Sequence, residues 1–242
     1  MKRFFLIWIF LFLSAPLWAQ WKNIQHGFDY RVSENHQIHF FRIHPKELKI
    51  DLLLASDYGS SSFTAKNYRE KSGTLLVING GFFDSNYHSL GLLEKDGKLR
   101  NPLRETSWGI FFLGGKDGRS PFIISKNDWR PNPSQGEMFQ KVTVALQVGP
   151  RLVINGSLPS FKDTELARRS AIGITPEGWL EIAASELPLT LHDWALMLSK
   201  DCPQALNLDG GSSTQISVQS GNFSLEIGGA TAVPNALSVF EK

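Results

Sequence analysis

One cysteine is all the chain has, at Cys202, so no disulfide can form within it. A chain without such cross-links must hold itself together by its core. Past residue 19 no apolar run is long enough to span a bilayer. An excess of charge of one sign is missing as well. With Lys2 and Arg3 set aside, 25 − 2 = 23 basic residues face 23 acidic ones. That balance leaves no footprint for a nucleic acid partner. There is no Gly-x-Ser-x-Gly elbow, no Walker-type loop and no close histidine pair of metal-ligand spacing. There is also no repeat of fixed period and no low-complexity tract.

The first residues belong to a different class of signal. A basic start, Met1-Lys2-Arg3, precedes an apolar run from Phe4 to Leu13, and the small residue Ala19 comes just before Gln20. This is the pattern of a secretory leader. It predicts a signal peptide over 1–19, one domain over 20–242, and a periplasmic or secreted protein with no membrane span after cleavage. About 220 residues suffice for one large core.

The body reads as many short strands with few helices, an α+β fold on mixed, mostly antiparallel sheet with its site at clustered strand ends. Ile38 to Ile43 and Lys49 to Leu54 are predicted strands, and His44 to Glu47 between them reads as a hairpin connection. A short helix is expected over Phe63 to Lys71, and a buried strand over Thr74 to Ile78. Lys95 to Lys98, Thr175 to Gly178 and Gln219 to Asn222 are turn signals. Residues 126–137 read as a surface loop or a lid, the loop being the simpler reading. From Leu191 to about Lys200 a helix is predicted, capped by Thr190, with Leu191, Trp194, Ala195 and Leu198 on one face.

Two runs carry chemistry. Val77-Ile78-Asn79-Gly80-Gly81-Phe82-Phe83-Asp84 and Asn207-Leu208-Asp209-Gly210-Gly211-Ser212-Ser213-Thr214 both read as strand, then two glycines, then polar groups. Glycines let the backbone turn and let a ligand approach it closely. Hydroxyls and bare N–H groups at such a turn suit an anion. Two such strand ends brought together place Asp84 and Asp209 in one cleft. Taken alone, a Gly-Gly after a strand is a turn or bulge, and Asp84 an Asx-turn residue. One ring of Phe82-Phe83 is expected in the core, the other as a wall for a sugar face. Arg168 and Arg169 open an apolar strand, and alternation points them to opposite faces. One is then a phosphate ligand and the other a solvated edge, or both are surface charge. His88 is the histidine to watch as an acid or base. Ser212 follows two glycines with no base in view.

Taken in order, Asn79 to Asp84, Arg168 to Gly173, Leu206 to Ser213 and Pro234 to Leu237 resemble the motifs of the phosphodiester glycosidase family over roughly residues 50–240. The resemblance implies a hydrolase acting on a sugar phosphodiester or an envelope glycan, as in exopolysaccharide metabolism. It implies a site holding Asn79, Gly80, Gly81, Phe83 and Asp84, then Arg168 or Arg169. Asn207, Asp209, Gly210, Gly211, Ser212 and Ser213 follow, and Asn235 completes it. Ser212 stands where the family often has a further glycine. The disulfides and extra C-terminal modules of the animal member have no counterpart here, so its protein-borne substrate does not carry over. Two carboxylates, Asp84 and Asp209, suit an oxocarbenium-like transition state, with acid and base unassigned between them. No cofactor is required. The alternatives are a metal-assisted phosphodiesterase, with Mg²⁺ or Ca²⁺ held by these carboxylates and Asn79, Asn207 or Asn235, and a glycan-binding protein without turnover.

Overall fold

The computed structural model describes residues 20–35, 37–162 and 164–242; the expected leader lies outside the described residues. The strands and helices, in chain order, begin with β1 (Lys22–Gln25), β2 (Phe28–Val32), β3 (Ile38–Ile43), β4 (Lys49–Leu54), α1 (Ala65–Ser72) and β5 (Leu76–Asn79). β6 (Leu93–Lys95), β7 (Lys98–Asn101), β8 (Gly109–Gly114), β9 (Ser120–Ser125), β10 (Val144–Val148) and β11 (Arg151–Ile154) make up the middle. β12 (Ser170–Ile174), β13 (Leu180–Ser185), α2 (Leu191–Leu198), β14 (Gln204–Asn207), β15 (Ile216–Ser220), β16 (Phe223–Ile227) and β17 (Asn235–Phe240) close the chain.

These strands form three sheets, ordered β1-β2-β3-β13-β12-β14-β11, β7-β6-β10-β8-β9 and β16-β15-β5-β17-β4. The α+β class with few helices stands, and every strand pair among the described residues is antiparallel. One apolar cluster draws on all three sheets, with Phe41 and Ile182 from the first, Phe111 and Leu146 from the second, and Ile78, Ile216 and Leu237 from the third. Alternation along the strands sends the intervening residues outward to separate layers. Val77 and Ala236 meet Tyr68 of α1. Ala171, Ala183 and Ala205 lie under Leu191, Trp194, Ala195 and Leu198 of α2, the face its sequence predicts. Thr190 caps α2, its hydroxyl oxygen accepting from Asp193 N at 3.1 Å.

The three turn signals close hairpins, and at Asp96 (φ 52°) and Gly97 (φ 68°) both central residues are left-handed, as a two-residue turn requires. The connection at 44–47 is not a hairpin. β3 lies between β2 and β13 of the first sheet, whereas β4 pairs with β17 of the third. Both strands are buried along nearly their whole length, and a strand buried on both faces does not declare its partner. Residues 126–137 form short 3-10 turns, with Trp129 packed edge-on to Phe112 at 5.3 Å.

A charged cluster ends the α2 layer. Asp201 bridges Arg31 and Arg42, each at 2.6 Å, and Arg42 Nε donates to Glu181 at 3.2 Å. Trp21 lies against both guanidinium groups, at 4.5 and 4.1 Å from its ring centre. Burial, aided by the Asp201 charge and opposed by Arg42, pushes Glu181 up to about 7. A carboxyl raised on folding is neutral in the fold while the unfolded chain ionises. Stability is therefore full below the ordinary glutamate range and falls as pH rises to about 7. The loss amounts to about 3 kcal/mol. Glu181→Gln is expected to flatten this part of the stability curve, and thermal unfolding at pH 5 and pH 8 measures it. An unchanged difference between the two pH values would reject the assignment to Glu181.

Candidate functional site

The two Gly-Gly runs meet at the seam between the first and third sheets. Asp209 N donates to Gly80 O at 3.1 Å, which joins the turn after β14 to the end of β5. Asn79, fully buried, fixes this contact. Its Nδ2 donates to Asp209 O at 2.7 Å, and its Oδ1 accepts from Ser170 Oγ at 2.7 Å and Gln215 N at 3.2 Å. Asn235 does the same for the first run: Oδ1 accepts from Gly81 N at 2.7 Å and Nδ2 donates to Ser89 Oγ at 3.1 Å. At Gly80 a Cβ would stand 2.1 Å from Asn235 Oδ1, so glycine is needed there for close approach. Gly211 sits at φ +61°, and its N–H donates to Arg168 O at 2.8 Å.

Asp84 and Asp209 line one cleft of about 400 Å³, with Phe82, Phe83, Ser212 and Ser213 from the same two runs. Their environments differ. Asp84 Oδ1 accepts from Asn86 N at 2.8 Å and His88 N at 2.9 Å, and Oδ2 lies 3.2 Å from His88 Nδ1. The hydrogen bond from His88 N, then that from Asn86 N and the His88 ring, hold its pKa below the ordinary value. The Asx-turn reading and the cleft reading of Asp84 are both met. Asp209 is half-buried. Burial raises its pKa, against hydrogen bonds from the Ser213 hydroxyl and from Gly210 N at 2.9 Å. Two carboxyls pushed in opposite directions in one cleft are the usual mark of divided acid–base roles.

Several expected site residues are tied into the surrounding backbone by hydrogen bonds. Asn207 is buried, its Nδ2 donating to Leu208 O at 2.6 Å. Neither arginine lines the cleft. Arg169 is 7% exposed and donates to Leu189 O at 3.0 Å and Glu165 O at 2.7 Å. Arg168 NH1 donates to Gly228 O at 3.0 Å. Backbone carbonyls supply acceptors to both guanidinium groups, while Arg168 Nε is buried with no hydrogen-bond partner among the described residues. The amide oxygens of Asn79 and Asn235 accept from N–H and O–H donors, while Asn207 Oδ1 is buried with no hydrogen-bond partner among the described residues. Phe83 packs on the α1 layer and stacks on Tyr87 at 5.6 Å. Phe82 faces Trp108 at 4.8 Å, and both rings line the cleft.

Trp108, Leu90 and Thr231 also line the cleft and carry no motif of their own. For Thr231 a signal existed: it follows Gly228-Gly229, which like Gly210-Gly211 is trailed by a hydroxyl. Trp108 stands alone before β8 and gave none. Its place is made by Gly149, where a Cβ would come within 2.9 Å of the indole.

Residues 72–240 match the family described as phosphodiester glycosidase. No curated protein sequence matches the chain. Among solved structures, the zebrafish N-acetylglucosamine-1-phosphodiester alpha-N-acetylglucosaminidase catalytic domain, auto-inhibited by its pro-peptide, superposes with a TM-score of 0.66 at 16% identity, covering 89% of this chain and 82% of that one. A hypothetical protein from Synechocystis gives 0.67 at 17% identity, over 95% of this chain and 64% of its own. An exported-protein candidate of Burkholderia pseudomallei gives 0.62 at 12%, over 88% and 74%. At these identities the likeness is one of fold.

Proposed function

Because the chain belongs to the phosphodiester glycosidase family, we propose that this hydrolase cleaves the glycosidic C–O bond of a sugar-1-phosphodiester. The observation that supports it most is the convergence of Asp84 and Asp209, from runs far apart in sequence, on one cleft walled by Phe82 and Trp108. Aromatic faces suit the apolar face of a sugar ring.

Asp209 is the base. A carboxylate taken partly out of water is a stronger base than one in solution. It takes a proton from the attacking water while the water oxygen bonds to the anomeric carbon. The bond from that carbon to the phosphate oxygen breaks, and its electron pair leaves with the phosphate monoester, which needs no proton to depart. Asp84 stays ionised and offsets the positive charge that develops on the ring. Arg168 and Arg169 act through the backbone. Arg168 holds the Gly211 turn by its carbonyl and the Gly228 loop by its guanidinium. Ser212 and Ser213 supply hydroxyls at the cleft.

Hydrolysis in oxygen-labelled water tests the bond broken. Label in the sugar supports this reading; label in the phosphate would overturn it in favour of a P–O cut, where a divalent cation is the usual aid. The pH profile tests the base. A base must be ionised, so kcat/KM is expected to rise with pH through the Asp209 pKa, with its acid limb shifted upward from the ordinary aspartate value. A fall over that interval would reverse the role. Export belongs to this reading too, with a mature chain starting at Gln20 and an envelope or exopolysaccharide substrate. Among the described residues no helix is long and apolar enough to cross a membrane.

A further inference from the structure

A phosphodiester carries a negative charge; of the two arginines from which a ligand was expected, Arg169 is turned to backbone carbonyls, and Arg168 gives NH1 to Gly228 O while its buried Nε has no hydrogen-bond partner among the described residues. A different cation stands behind one wall of the cleft, beside Trp108, without itself lining it. Arg104 lies in the segment between β7 and β8, four residues before Trp108. Its guanidinium carbon is 5.8 Å from the centre of the Trp108 ring that walls the cleft. The residue is exposed and forms no ion pair among the described residues.

What sets Arg104 apart from an ordinary surface arginine is how its backbone is held. Gln147 of β10 is 1% exposed. Its Oε1 accepts from Arg104 N at 2.9 Å and from Leu92 N at 3.0 Å, and its Nε2 donates to Arg104 O at 2.9 Å. A buried amide thus grips both backbone groups of one exposed residue and pins the segment to the central strand of the second sheet. Such a clamp fixes where the side chain starts, which lowers the ordering cost of binding through it. The neighbouring acid is already committed: Glu105 is bonded to Lys126. An unpaired guanidinium on a fixed stem, against an aromatic wall, is equipped to grip a phosphate through two oxygens.

We propose that Arg104 is the phosphate-binding residue of this cleft, taking the anionic group of a sugar-1-phosphate or its diester beside Trp108. The inference rests on the sugar-phosphodiester reading of the site. Titration calorimetry with a sugar-1-phosphate, for the wild type, Arg104→Ala and Arg104→Lys, separates the two. Arg104→Ala is expected to weaken binding on the order of 10–100-fold, the worth of a hydrogen bond to a charged group. Arg104→Lys should fall between, since a point charge keeps attraction but loses the fork. Arg119→Ala, an exposed arginine elsewhere, controls for net charge and should bind as the wild type does. Equal affinity for the wild type and Arg104→Ala overturns the proposal, as does an Arg119→Ala loss of the same size or absence of binding by the wild type. Arg104-dependent binding by a protein that turns over no phosphodiester would leave the anion site standing and remove the hydrolytic reading.

Discussion

Asp209→Asn is expected to lower turnover of a sugar-1-phosphodiester on the order of 10²–10⁴-fold, the usual worth of a positioned general base. The substitution keeps size and shape. The amide oxygen still accepts from Gly210 N and the Ser213 hydroxyl, so the turn keeps its geometry. What is lost is the ability to take a proton. Burial raises the Asp209 pKa, meaning that the folded protein bears a cost for the charge at neutral pH. Thermal stability at pH 7 should therefore hold or rise as activity collapses. Steady-state kinetics and a melting curve on the same preparation decide it. Activity within a few-fold of the wild type would remove Asp209 from the chemistry, and a drop in both readouts would mark it as framework.

Asn79→Leu is expected to show the opposite pairing, with stability and activity lost together. Asn79 is wholly buried, and its amide serves Asp209 O, Ser170 Oγ and Gln215 N. Leucine fills the volume and strands all three. A buried polar group left without its partner costs about 1–3 kcal/mol. Some relaxation toward solvent is open to the exposed side of the seam, so the total expected is about 3–5 kcal/mol. Denaturant unfolding measures it, and a loss under about 1 kcal/mol would show that the clamp is dispensable.

This contrast bears on what the sequence could disclose. Gly-Gly after an apolar run announces a strand end with room for close approach. Two of them sufficed to place Asp84 and Asp209 together, because each glycine pair dictates a local backbone shape. The helix over Leu191 to Leu198 was legible for the same reason, since its Thr190 cap and its apolar stripe are local. Asn79 and Asn235 were legible as part of a motif but not as to role. Whether an amide faces a ligand or a carbonyl depends on what the fold packs against it. Arg168 and Arg169 illustrate the same limit. Alternation was expected to send them to opposite faces, but both precede β12, which begins at Ser170, and loop carbonyls accept from Arg168 NH1 and from Arg169. The partnering of β3 and β4 was hidden by their burial on both faces. Trp108 and Arg104 were hidden because their position depends on Gln147 and Gly149, some 40 residues downstream.

The bonds that close the seam join residues very far apart along the chain: Asn79 to Asp209 across 130 positions, Asn79 to Gln215 across 136 and Gly81 to Asn235 across 154. Such contacts form late, because a long loop must close before any of them is made. A ribosome or an export channel delivers the amino end first. The first Gly-Gly run, with Asp84, is thus on hand while its counterpart is still to come. The cleft that the proposed pair lines is not closed until the segment through Asn235 has emerged. A nascent chain therefore cannot act through the proposed pair until that segment is out.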